Sequence, residues 1–232
     1  MTDLPFIMSA PMVAALLREI ETPGTGKTMT RRLAWQRKKN IFGAHSATAW
    51  QKVRPGDRLW VREVWSAQFW NPENIDGAAR EYWETPKGER TQDLLAGLYW
   101  REAEEVKRSP FDFVPEGGWT SPIHMFRWAS RLTLVVTGAR VEKLQEISEA
   151  DAKAEGVEIV GVHIHRHYRL YQDYLGHTGH GHESAVKSFS TLWRSLHTKP
   201  GTTWDVNPDV VALSFDPHYC NIDRMEKEGE VA

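Results

Sequence analysis

Lys27, Thr30, Arg31 and Arg32 stand within six consecutive residues. A lysine amine beside two guanidiniums is driven toward its neutral form, because like charges disfavour a further proton. A neutral amine near a hydroxyl is the pairing that general base chemistry needs. Lys27 would take a proton from Thr30, or from a water that Thr30 orients. Glu155 stands where a short helix should end, the pole at which negative charge is disfavoured. Its position makes most sense if a cation such as Lys27 or Arg31 faces it. The plainer alternative is a solvated loop lysine and an ordinary surface acid, with a ligand site lacking catalysis between the two extremes.

The same stretch suits nucleic acid. Arg31, Arg32, Arg37, Lys38 and Lys39 are placed for phosphates, and Trp35 lies among them as a stacking surface. Between Thr25 and Trp65 ten basic residues face two acids, a local charge of +8, whereas 66–118 carries −5; the whole chain is at −2. A field of that strength draws anions even to a near-neutral protein, although a solvated basic face would look the same. Alternation along Arg58–Arg62 puts Arg58, Trp60 and Arg62 on one side of a strand. Arg127 and Arg131 are further candidates for ligand contact, or for pairing with acids. Of the eleven tryptophans, Trp65, Trp128 and Trp193 are assigned to the core.

The elements that must carry these groups follow from local pattern. Phe6-Ile7-Met8 reads as a first strand. Ser9 caps a helix with Pro11 in its first turn, and Met12, Val13, Leu16, Leu17 and Ile20 recur at helical spacing. Thr22-Pro23-Gly24 ends it and opens a loop that holds Lys27–Arg32. Strands are expected at Arg58–Trp65, at Arg131–Thr137 with a continuation after Gly138, and at Val210–Phe215. Helices are expected around Gln92–Val106, from Ser148 to Gly156, and over Ser188–His197. The pattern is that of an α+β chain around a compact sheet or small barrel. It reads as one domain over 1–218, with insertions at about 66–118 and 158–182, and a flexible tail over 219–232. His163, His165, His167, His177, His180 and His182 crowd the second insertion, but no carboxylate or thiol completes a zinc pattern, so no metal or other cofactor is expected.

The single cysteine, Cys220, excludes an internal disulfide and fits a reducing compartment. The longest apolar run, Ala10–Leu17, is far short of a membrane span. No secretory leader is expected, and the expected location is the cytoplasm.

Six motifs in order carry a family resemblance. They are Lys27-Thr28-Met29-Thr30-Arg31-Arg32 after a helix built on Ser9–Val13, then Pro55–Glu63, His124–Arg131, Leu144–Gly156 and Trp204–Pro208. Together they resemble the long phage- and prophage-encoded branch of the ASCH family, across about half the residues. The resemblance implies a PUA-like β-barrel with flanking short helices, in a bacterial host cell, and the handling of RNA or a modified nucleoside. One branch of small ASCH proteins hydrolyses acetylated cytidine nucleosides with a Lys, a Thr three residues later and a distant Glu. By motif these fall on Lys27, Thr30 and Glu155. This chain is about twice as long as that enzyme, and its loop before Lys27 is longer. The alternative is a non-enzymatic phage accessory protein that binds a phage or host protein through the Trp-rich acidic segment 66–118.

Overall fold

The computed structural model describes residues 1–39, 41, 43–69, 95–100, 119–163, 168–177 and 179–225, without the side chains of 37–39, 67–69 and 95–100. The strands are β1 (Asp3–Ile7), β2 (Met29–Leu33), β3 (Trp35–Lys39), β4 (His45–Ala47), β5 (Arg58–Arg62), β6 (Trp65–Phe69), β7 (Leu95–Trp100), β8 (Thr133–Lys143), β9 (Ile159–Val162), β10 (Arg169–Tyr171) and β11 (Asp209–His218). The helices are α1 (Ala10–Glu21), α2 (Glu149–Ala154) and α3 (Ala185–Leu196). The fold is α+β. Five strands form a sheet in the order β1-β5-β8-β11-β2, and three two-stranded pairs accompany it: β3–β4, β6–β7 and β9–β10. No closed barrel is found among the described residues.

Contacts fall into two groups that alternate along the chain, where the sequence reads as one domain over 1–218. Unit one comprises Met1–Leu4, Ala15–Leu59 and Leu134–Tyr219; unit two comprises Pro5–Ala14, Trp60–Thr133 and Cys220–Ala232.

In unit one, β11 supplies the centre. Val210, Val211, Ala212 and Leu213 are consecutive and all buried, so both faces of the strand are covered, as its unbroken apolar run requires. Each full burial of a Val or Leu side chain contributes roughly 1.5–3 kcal/mol. β11 pairs antiparallel with β2, Val210 opposite Leu33 and Ser214 opposite Met29. The segment expected as a loop is therefore partly an edge strand. Local pattern missed it because the two arginines at its centre break any apolar alternation. β8 runs from Thr133 through Gly138 to Lys143 without interruption, so the continuation expected after Gly138 is part of the same strand. Ser148 Oγ accepts from Asp151 N at 3.0 Å to start α2, and Gly156 ends it at φ +82°, the left-handed stop that glycine allows. α3 starts at Ala185, capped by Ser184 and earlier than expected, and the Glu149 carboxylate accepts from its first backbone amide, Ala185 N, at 2.9 Å.

In unit two, Phe6, Met8, Met12, Val13, Trp60, Val61, Met125 and Leu132 are buried. Trp65 meets Trp128 edge-on at 6.2 Å, and Trp128 stacks on Phe126. Three expectations are corrected. Leu95–Trp100 is a strand rather than part of a helix, paired antiparallel with β6 with Trp65 opposite Trp100 in register; tertiary pairing overrides the local helical preference of its leucine and alanine. The strand expected over Arg58–Trp65 divides into β5 and β6. Two residues placed in the flexible tail are engaged instead: Asn221 Nδ2 donates to the carbonyls of Arg127, Trp128 and Ser130, and Ile222 is fully buried. The partner-binding segment expected over 66–118 lies outside the described residues except for 66–69 and 95–100. In unit one, the insertion over 158–182 contains the β9–β10 pair.

No described helix is long and apolar enough to cross a membrane.

Candidate functional site

Three backbone segments of unit one converge on Lys27. Lys27 N donates to Ala15 O at 2.9 Å, and Thr28 N donates to Ala154 O at 2.8 Å. A third bond, Phe215 N to Thr28 O at 2.9 Å, ties the segment to β11. The approach is close enough to require glycine. A Cβ on Gly26 would lie 2.2 Å from Ala15 O, and one on Gly156 would lie 2.8 Å from the Lys27 Cβ. The helix-ending glycine thus also makes room for the lysine. Glu19 fixes the preceding loop, its carboxylate accepting from Gly24 N and Gly26 N at 2.8 and 2.7 Å.

Lys27 is 1 % exposed and Glu155 is 3 % exposed. The Lys27 Nζ donates to Glu155 Oε2 and to the Glu155 carbonyl, both at 2.7 Å. Glu155 Oε1 also accepts from Arg31 Nη1 at 3.1 Å. Arg31 in turn donates to Glu142 at 2.6 Å and to Asp151 at 2.9 Å, and Arg140 reaches the same two acids. The sequence pairs Glu155 with a cation, and here two cations hold it. Burial pushes the Lys27 amine below its ordinary value; Glu155 opposes the shift, and the charges of Arg32 and Arg31 add the smallest downward contributions. The direction agrees with the sequence argument, but desolvation leads and like-charge repulsion is minor.

Thr30 is buried on β2 opposite Leu213, and its hydroxyl makes no hydrogen bond among the described residues. Strand alternation puts Thr30 on the face of Arg32 and opposite that of Arg31. Arg32 lines an open cleft of about 490 Å³ with Trp35, Gln36, Thr48, Trp50 and His197, among others. Its charge also acts on both Lys27 and Glu155. It is therefore the electrostatic link between the buried pair and the cleft. Burial pushes its guanidinium down to about 10, which leaves it cationic at neutral pH. Trp35 is 44 % exposed, with its indole N–H donating to Asp209 at 3.3 Å.

The remaining candidates are placed elsewhere and engaged internally. Arg58 forms a two-pronged pair with Asp3, both bonds 2.8 Å. The common outward face expected for Arg58, Trp60 and Arg62 is absent, because Arg58 and Trp60 are buried. Arg62 sits over the Trp60 ring at 5.0 Å and donates to the Met125 carbonyl at 3.0 Å. Arg131 holds Glu63 with bonds of 3.0 and 2.9 Å, and Arg127 pairs with Asp223 at 2.8 Å. Strand pattern gave the alternation but not the acids that arrive from distant segments. The side chains of Arg37, Lys38 and Lys39 are outside the described set. Among the described residues no three metal-ligating side chains gather; His165 and His167 lie outside that set.

Sequence reasoning missed Trp50 and His197. Neither stands in a motif; Trp50 follows β4 and His197 caps the end of α3, and only tertiary packing brings both to the cleft that Arg32 lines. No family model matches the chain, and no curated protein or solved structure is detectably similar to it.

Proposed function

We propose that this chain binds RNA or a modified nucleoside in the manner of an ASCH protein with a PUA-like barrel. In this reading it hydrolyses an acyl amide on the exocyclic amine of a cytidine-type nucleoside. The observation that carries the proposal is the Lys27–Glu155 contact at 2.7 Å, coupled through Arg32 to an aromatic cleft. Burial favours the neutral form of the Lys27 amine, the form a general base requires. Lys27 takes the proton of the Thr30 hydroxyl or of a water beside it. The oxygen attacks the acyl carbon; the proton that Lys27 took crosses the 2.7 Å contact to Glu155, which passes it to the departing amine, so that amide and water become acid and free amine. A threonine attack adds an acyl ester that a second water cleaves. With Lys27 this deeply buried, substrate has to approach from the face of β2 that Thr30 shares with Arg32.

The test is to incubate the protein with N4-acylated cytidines and follow release of cytidine. The expected result is turnover that disappears in Thr30→Val and Lys27→Met while both variants retain the wild-type circular dichroism spectrum. Absence of release by the wild type, or release unchanged in both variants, removes the catalytic reading.

A further inference from the structure

Every N–H of the Arg31 guanidinium has a partner inside the protein. Nε donates to Glu142 Oε1 at 3.0 Å, and Nη2 donates to the same oxygen at 2.6 Å and to Asp151 Oδ2 at 2.9 Å. Nη1 donates to Glu155 Oε1 at 3.1 Å and to Met29 Sδ at 3.5 Å. A guanidinium carries five N–H donors in a fixed plane, and these bonds use them all. Its face is covered as well, with the central carbon 5.9 Å from the Phe189 ring centroid. No donor is left for a phosphate or a base edge, so Arg31 leaves the set of ligand-binding candidates.

The charges that Arg31 joins run from the core to the surface. Lys27 and Glu155 are shut in, Glu142 and Asp151 are partly solvated, and Arg140, bonded to both of those acids, is 45 % exposed. Lys27, Arg31 and Arg140 balance Glu142, Asp151 and Glu155 in charge. Within this chain the two oxygens of Glu155 are divided, Oε2 to Lys27 and Oε1 to Arg31. A carboxylate that neutralises two cations binds the proton of either less firmly than it would facing one alone. We infer that Arg31 is the positioning residue of the candidate site: it fixes Glu155 by one oxygen, leaves the other to Lys27, and by sharing that negative charge limits how tightly the amine holds its proton. The inference deepens the hydrolase reading above and rests on it for the catalytic meaning of Lys27. The charged groups acting on Lys27 are Glu155, Arg32 and Arg31, and burial works on the amine in the same direction as the two arginines.

NMR of the full chain carrying lysine labelled with carbon-13 at Cε follows the charge of Lys27 against pH, and Lys27→Met identifies its signal. Arg31→Met leaves Glu142 and Asp151 bonded to Arg140 but turns the Glu155 charge wholly on Lys27, so the titration midpoint should rise. Glu142→Gln removes a negative charge from Arg31, which then bears more strongly on Glu155, so the midpoint should fall. Arg31→Lys keeps the charge without the fork and should lie between the wild type and Arg31→Met. A merely structural role predicts something else. A loosened core would admit water to the amine and raise the midpoint in both Arg31→Met and Glu142→Gln. With N4-acylated cytidine, the limb of the pH–rate profile set by the base should move with the NMR midpoint. Arg31→Met should then lose turnover near neutrality and regain it in alkaline buffer. An Arg31→Met midpoint that does not rise, or a Glu142→Gln midpoint that does not fall, overturns the inference; if Arg31→Met does not fold, Glu142→Gln decides alone. The two readings fail separately. Opposite shifts without cytidine release by the wild type leave Arg31 setting the charge of Lys27 and remove the hydrolase, whereas cytidine release with unmoved midpoints leaves only the hydrolase.

Discussion

Replacing Glu155 by Gln removes one negative charge from between two buried cations without changing side-chain size. Arg31 keeps Glu142 at 2.6 Å and Asp151 at 2.9 Å. Lys27 keeps only the Glu155 carbonyl and a neutral amide, because Glu155 is the one acid bonded to its amine among the described residues. The variant therefore leaves an ammonium buried without a counter-charge, a defect that costs about 3–5 kcal/mol. Lys27→Met is the informative contrast. It leaves Glu155 still paired to Arg31 at 3.1 Å, so the remaining charge is compensated and the loss should be the smaller of the two. Urea titrations at several pH values measure both. A group whose folded pKa lies below its unfolded value binds fewer protons when folded, so folding gains stability as pH rises between the two values. Removing Glu155 lowers the folded value of Lys27 further and widens that window downward. The Glu155→Gln deficit should therefore shrink as pH is raised toward the ordinary lysine range, and the Lys27→Met deficit should not follow it. A loss below about 1 kcal/mol in Glu155→Gln would place the pair in the solvent-screened class and refute the reasoning. A deficit independent of pH would refute it equally.

Three further outcomes follow. Gly156→Ala combines a positive φ of 82° with a Cβ only 2.8 Å from the Lys27 Cβ and 2.9 Å from the Ala15 Cβ. It should lose about 2–5 kcal/mol from left-handed strain and overpacking together, seen as a lowered urea midpoint, and any activity should fall with it. His197, held near 4, binds a proton less readily folded than unfolded; stability should fall as pH drops from about 6.5 toward 4, and the His197→Phe melt should lose this component. Arg58→Ala leaves Asp3 without its bidentate partner, so it should lower the urea midpoint, while release of cytidine from an N4-acylated substrate by the folded variant stays at the wild-type rate.

Much of the local architecture was written locally. Apolar residues at helical spacing placed α1, Ser148 and Gly156 bracketed α2, and an unbroken apolar run placed β11, because caps, left-handed glycines and hydrophobic period act over a few residues. The conjunction of Lys27 with a carboxylate was also anticipated, since a helix-ending glutamate needs a cation. Sequence could not show that Met29–Leu33 is a strand, because its pairing energy comes from β11, about 180 residues away. Nor could it show that Arg58 and Arg131 are held by Asp3 and Glu63, or that His197 stands across a cleft from Trp35. Those are contacts between segments far apart in the chain. Burial, the largest cause of the Lys27 shift, is likewise set by what packs around a residue and not by its neighbours in sequence. The chain order fixed which groups were present, while tertiary packing decided which charges met and which surfaces stayed open to a ligand.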